Sequence, residues 1–180
     1  MKRTILGIMT IVALGASAPF AQAQNPMTFG LAAGASFPTG DLGDALETGF
    51  HGMATLGLMP AMVPFGVRID GMYNGFGAKD SDVSARIFGL SANGVFAIPS
   101  TVTSPYIIGG LGWYNSDDDD QFAGVESEAV NNFGLNVGVG MKFNLSGFGT
   151  FAEVRYHHVM QSDDEGGSFQ FIPLTFGIMF

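Results

Sequence analysis

The sequence predicts an all-β fold, an eight-stranded antiparallel up-and-down transmembrane β-barrel. Three observations predict it. Segments that alternate apolar with small or polar side chains recur along the chain, which is the period of a strand with one greasy face. The connections between these segments alternate short and long. The acids are sorted: of sixteen, fourteen lie in four polar segments, and only Asp70 and Glu153 fall within apolar-patterned ones. A bilayer imposes such sorting, because charge must go to water or to a protected interior.

Each element follows from its own pattern. Residues 28–37 set Phe29, Leu31, Ala33, Ala35 and Phe37 on one face, against Gly30, Ala32, Gly34 and Ser36. Residues 50–59 are a weaker strand, with Phe50, Ala54, Leu56 and Leu58 together. Residues 65–73 turn Phe65, Val67, Ile69 and Tyr73 one way, and 86–96 do the same with Phe88, Leu90, Ala92 and Phe96. Residues 106–114 are a strand of ambiguous parity. Residues 132–143 alternate most cleanly: Phe133, Leu135, Val137, Val139, Met141 and Phe143 oppose Asn132, Gly134, Asn136, Gly138, Gly140 and Lys142. Residues 150–158 form the seventh strand. The eighth, 169–180, ends on Ile172, Leu174, Phe176, Ile178 and Phe180.

The connections at 59–64, 99–104 and 144–147 are short; those at 39–48, 74–84, 115–131 and 160–168 are longer and acidic. Pro60, Pro64, Pro99 and Pro105 stand at short turns, where a missing backbone donor costs least. Aromatics recur at an eight-residue step as Phe29/Phe37, Phe65/Tyr73 and Phe88/Phe96, and Tyr106/Tyr114 is a further such pair if the parity of its strand turns both outward. That step is about 26 Å of strand and, tilted, roughly 20 Å of height, near the apolar band of a membrane barrel.

Residues 1–23 read as a cleaved signal peptide: Lys2 and Arg3, an apolar stretch at 5–16, and an Ala21-Gln22-Ala23 site. Residues 24–180 are then a single barrel domain with no run long enough for a membrane helix. Charged residues are 13% of the chain, against about a quarter in a soluble domain. With no cysteine there is neither a disulfide nor a thiol for lipid attachment. A net charge of −9 disfavours nucleic acid as a partner. A soluble lipocalin-type barrel would also alternate, but with apolar residues inside and Lys and Glu outside. Here the other face is Gly, Ala, Ser, Asn and a few charges, which suits the crowded interior of a narrow barrel.

With the export signal, the run Pro105-Tyr106-Ile107-Ile108-Gly109-Gly110-Leu111-Gly112 and the strand at 171–180, the chain resembles the small bacterial outer-membrane β-barrel family of OmpA-type transmembrane domains, OmpX and OmpW. The resemblance implies the outer membrane of a Gram-negative cell, long loops outside, and a monomer. It also implies an assembly signal in Phe176, Ile178 and Phe180, read by the barrel-assembly machinery. Members serve as structural anchors, adhesion or defence proteins, or narrow porin-like passages.

Several groups are candidates for chemistry. By parity Arg68, Asp70, Lys142, Glu153 and Arg155 point inward, three positive and two negative. They are expected to pair into a lumen plug, or in a sharper reading to form a gate or proton path. His51 and His157 share inward parity near the mouth, where hydrogen bonding rather than metal binding is expected; His158 faces the other way. No metal and no cofactor is expected. Arg86, at an outer rim, and the acids Asp117, Asp118, Asp119, Asp120, Glu126 and Glu128 are candidate contacts for lipopolysaccharide or cations. The acids lack the alternating ligands and central glycine of an EF-hand loop. Ser168, Asp163, His157 and His51 are scattered candidates for catalysis, but no His-x-Ser pair like that of the outer-membrane deacylases is present. The expected role is therefore non-enzymatic, structural or in surface interaction. The alternative is a narrow passage for small or hydrophobic molecules.

Overall fold

The computed structural model describes residues 27–60, 63–79, 84–98, 100, 103–118, 130–145, 148–161 and 168–180. The predicted signal peptide, Asp119, Asp120, Glu126, Glu128 and Asp163 lie outside the described residues. Eight strands form one closed barrel: β1 (Met27–Thr39), β2 (Gly49–Leu58), β3 (Phe65–Gly77), β4 (Ser84–Ala97), β5 (Thr103–Asp118), β6 (Val130–Leu145), β7 (Phe148–Met160) and β8 (Ser168–Met179). Each pairs antiparallel with the next, and β8 returns to β1 with Ala33 opposite Phe176 and Leu31 opposite Ile178. Beyond the ladder, Phe29 and Phe180 exchange both backbone hydrogen bonds, at 3.0 and 2.8 Å. Closure leaves no sheet edge, which a bilayer requires because hydrocarbon cannot satisfy unpaired backbone groups.

The barrel is inside-out relative to a soluble one. Phe133 is 68% exposed and Val137 60%, whereas Arg155 is 2% exposed and Asp70 fully buried. The outward residues are those the alternation assigned to the greasy face on β1, β2, β3, β4, β6 and β8. Aromatic rings gather toward both ends of the wall. At the long-loop end Tyr73 packs against Phe50 at 5.4 Å and Phe88 at 4.8 Å; at the short-turn end Phe65 packs against Phe96 at 4.9 Å.

The structure corrects three expectations. First, Tyr106 and Tyr114 are not an outward pair: both are buried inward, and Ile107, Leu111 and Trp113 take the outer face of β5. Both parities of β5 are apolar, so hydropathy does not choose between them. The phenol hydroxyls do, because their hydrogen-bond partners, Glu153 and His157, lie inside. Glycines on the same or neighbouring strands make room, since a Cβ at Gly140 would run into the Tyr106 ring and one at Gly112 or Gly134 into the Tyr114 ring.

Second, the lumen is not lined by small and charged residues alone. Phe76, Ile87, Phe151, Val159, Phe169 and Phe171 point inward and are buried. Third, the connection after β1 is not plain loop. It contains a one-turn helix, α1 (Asp41–Ala45), entered through Gly40 at φ +62°, a conformation that suits glycine. The half-buried Leu42 and Leu46 pack on the inward apolar cluster. Backbone bonds from Glu47 N to Gly77 O (2.8 Å) and from Lys79 N to Ala45 O (3.1 Å) tie this cap to the end of β3. Strands β3, β4 and β5 also run further than their patterns suggested, which places Asp117 and Asp118 at a strand end.

Candidate functional site

Strands β3 and β7 stand on opposite walls, four places apart in the closed order of eight. Each sends two oppositely charged side chains inward with one residue between them: Arg68 and Asp70, Glu153 and Arg155. The four meet across the barrel. Arg68 Nη2 donates to Glu153 Oε2 at 2.8 Å, and Arg155 Nη1 donates to Asp70 Oδ2 at 2.9 Å. Each arginine also binds the acid on its own strand. Arg68 Nε lies 2.8 Å from Asp70 Oδ1 and 3.2 Å from Oδ2, with its N–H directed at Oδ2. Arg155 Nε donates to Glu153 Oε1 at 3.0 Å, and Arg155 Nη2 binds the same oxygen. Each charge thus touches both charges of opposite sign, which offsets the cost of removing four ions from water.

A polar shell completes the cluster. Tyr106 donates its hydroxyl hydrogen to Glu153 Oε2 at 2.7 Å, and Asn93 Nδ2 donates to Asp70 Oδ2 at 2.9 Å and to Ser91 Oγ at 3.0 Å. The Arg68 guanidinium lies 5.8 Å from the Phe151 ring centroid. Space comes from glycine. Gly138 and Gly140 face Arg155 and Glu153 in the β6–β7 register, and Gly57 faces Arg68 across β2–β3. A Cβ at Gly138 would press on Arg155 Cα at 2.9 Å. Lys142 is peripheral: its ammonium is 3.0 Å from Met59 Sδ and 5.6 Å from the Tyr106 ring centroid. It reaches the cluster through Tyr106.

His51 and His157 are both buried in the lumen, as their parity indicated. His51 Nδ1 lies 2.9 Å from Asn74 Oδ1, within hydrogen-bonding distance. His157 Nδ1 lies 2.8 Å from the Tyr114 hydroxyl, and its ring stacks on Phe171 with centroids 4.7 Å apart. Each histidine is thus held by a hydrogen bond. Among the described residues no three His, Asp or Glu side chains come together as metal ligands do. His158 faces outward beside Tyr156. Arg86 is exposed on β4, and the register places Asp117 opposite it on β5.

From its long-loop end inward, the lumen thus runs from apolar through polar to ionic. Phe76, Ile87, Phe169 and Phe171 lie under Leu42 and Leu46. The histidine–asparagine–tyrosine level follows, then the charge cluster. Val95, Ala97 and Ile108, with Met59, fill the short-turn end. The apolar layers went unread in the sequence. Their available signal was the inward parity of Phe151, Phe169 and Phe171 once the outward face of β7 and β8 was fixed.

A family model described as the outer membrane protein beta-barrel domain matches residues 8–180. No curated protein matches the chain. Among solved structures it is similar to Neisserial surface protein A, at 14% identity and TM-score 0.69 over 87% of this chain and 97% of that one. It is similar to the outer membrane enzyme PagL at 16% identity and TM-score 0.56, covering 83% and 97%. The N-terminal β-barrel domain of Pseudomonas aeruginosa OprF follows at 14% identity and TM-score 0.52, covering 88% and 100%. At these identities the likeness shows the fold.

Proposed function

The chain belongs to the outer membrane protein beta-barrel domain family, and within it we propose a non-enzymatic structural or surface-interaction role, with a lumen that does not conduct. In this reading residues 1–23 are removed on export, and Phe176, Ile178 and Phe180 serve assembly. The long acidic loops, with Asp117, Asp118, Asp119, Asp120, Glu126 and Glu128, face outward to meet cations or lipopolysaccharide. The observation that carries the reading is the reciprocal bridging of opposite walls by Arg68–Glu153 and Arg155–Asp70. A permeating molecule would have to part both pairs in a low-dielectric interior, and breaking such a pair costs about 3–5 kcal/mol. PagL has this fold and is an enzyme, so fold alone does not decide. Against catalysis here, His157 is buried, stacked on Phe171 and held by Tyr114.

One observation favours the alternative of a narrow passage for small or hydrophobic molecules: the inward apolar layer beneath α1 is greasy enough to receive one. Neutralising Arg68 and Arg155 together separates the readings. A plug predicts lower folding yield and earlier heat unfolding, with vesicles that stay tight. A gate predicts leakier vesicles around a barrel that still folds.

A further inference from the structure

The lipid-facing wall carries a recess that neither the charge cluster nor the loops explain. It has a volume of about 420 Å³ and lies across β2, β3, β4 and β5, on the membrane side of the long-loop aromatic belt. Its floor is Gly52 and Gly71, and its walls are Tyr73, Phe88, Leu90 and Trp113. At both floor glycines an added Cβ would meet nothing within 4 Å. These glycines therefore do not serve close packing within the barrel, unlike Gly138 or Gly140, and side chains there would have ample room. Tyr73 is braced between Phe50 and Phe88, so the aromatic edge of the recess is fixed. Arg86 lies on the same outward face as Phe88, two residues nearer the long loops, which is about 7 Å along the strand.

We propose that this recess seats one acyl chain of lipopolysaccharide, with a phosphate of the same lipid at Arg86. Hydrocarbon is the medium at that depth, and an open glycine floor between rigid rings fits a linear chain. A guanidinium one step above the aromatic belt sits where the headgroup begins, and arginine suits phosphate. Selectivity for this lipid over a zwitterionic one comes from Arg86. The inference rests on the proposed orientation, long loops outside, only for which leaflet supplies the lipid.

The chain contains a single tryptophan, and Trp113 lines the recess, so its fluorescence reports the occupant. The full chain is refolded into vesicles of phosphatidylcholine brominated on its acyl chains, which quench Trp113. Lipopolysaccharide or unbrominated phosphatidylcholine is mixed in before the vesicles form, in equal acyl-chain amounts, so that both leaflets hold it. Lipopolysaccharide is expected to restore at least threefold more emission. Gly52→Val with Gly71→Val fills the recess and should bring that ratio to one in a barrel that remains heat-modifiable. Arg86→Gln should at least halve it without changing quenching by brominated phosphatidylcholine. Equal restoration by the two lipids in the unmodified protein, or a preference that survives filling, overturns the proposal. A preference unchanged by Arg86→Gln overturns the headgroup assignment. Lipid reaches both faces of such vesicles, so the assay is independent of orientation, which protease treatment of whole cells tests separately.

Discussion

The middle of the lumen and its long-loop half are filled by opposite chemistry within one barrel wall. In the middle, four buried charges and their hydrogen-bonded shell join β3 to β7. Toward the long loops, Phe76, Phe169 and Phe171 pack edge and face against one another and against His157, under the leucines of α1. The contrast separates two ways of filling the inside of a narrow barrel. Ion pairs are directional and fail badly when one partner is lost, because the remaining charge stays buried. Apolar packing loses contact area in proportion to what is removed, plus a cavity term.

The sharpest way to break the comparison is to remove one of the two acids that each bind both arginines. Glu153→Leu leaves Arg68 and Arg155 to share Asp70 alone, one positive charge in excess, and is expected to cost about 3–5 kcal/mol, read as a lower urea midpoint for unfolding from lipid vesicles. Removing charge from both walls at once, with Arg68→Met and Glu153→Met, should cost less than the two single changes added together, because no charge is left alone. A double cycle that comes out additive would mean the pair is not coupled.

Phe171→Ala tests the other region. It removes a ring that touches Phe76, Tyr114, Phe169 and His157, and should cost about 3 kcal/mol by leaving a cavity. Conductance should stay absent, since the charge cluster is untouched. Tyr106→Phe is milder. It deletes one hydrogen bond to an ionised acceptor while keeping the ring over Gly140, and about 1.5–2 kcal/mol is expected from the same unfolding curves. Leu46→Ala in the cap should have the smallest effect, about 1 kcal/mol, because the side chain is only half-buried. Its clearer readout is faster amide hydrogen exchange at Glu47 and Lys79, whose backbone bonds hold the cap.

The two regions also differ in how far the sequence reveals them. Arg68, Asp70, Glu153 and Arg155 stand out because charge is rare in the apolar-patterned segments and strand parity has a period of two. Counting from the short turns places the β3 and β7 charges at one level, which is the level at which they pair. The apolar half is opaque for a physical reason. When both faces of a strand are greasy, as on β5, alternation carries no sign. Tyr106 and Tyr114 turn inward because Glu153 and His157 lie there and because Gly140, Gly112 and Gly134 leave space, facts that exist only across strands. The cap is opaque for a related reason. The five residues of α1 are too few for a helical period to show, and Leu42 and Leu46 gain their meaning from an inward apolar cluster drawn from strands far along the chain. Strand number and the outward face of β1, β2, β3, β4, β6 and β8 follow from local pattern alone, because a bilayer rewards local pattern.

The measurement that bears most directly on a closed lumen is single-channel recording of the refolded, heat-modifiable protein in a planar bilayer. The account predicts silence from the unmodified barrel over the whole recording. Reproducible openings from a correctly folded barrel would contradict it, and would recast Arg68, Asp70, Glu153 and Arg155 as a gate.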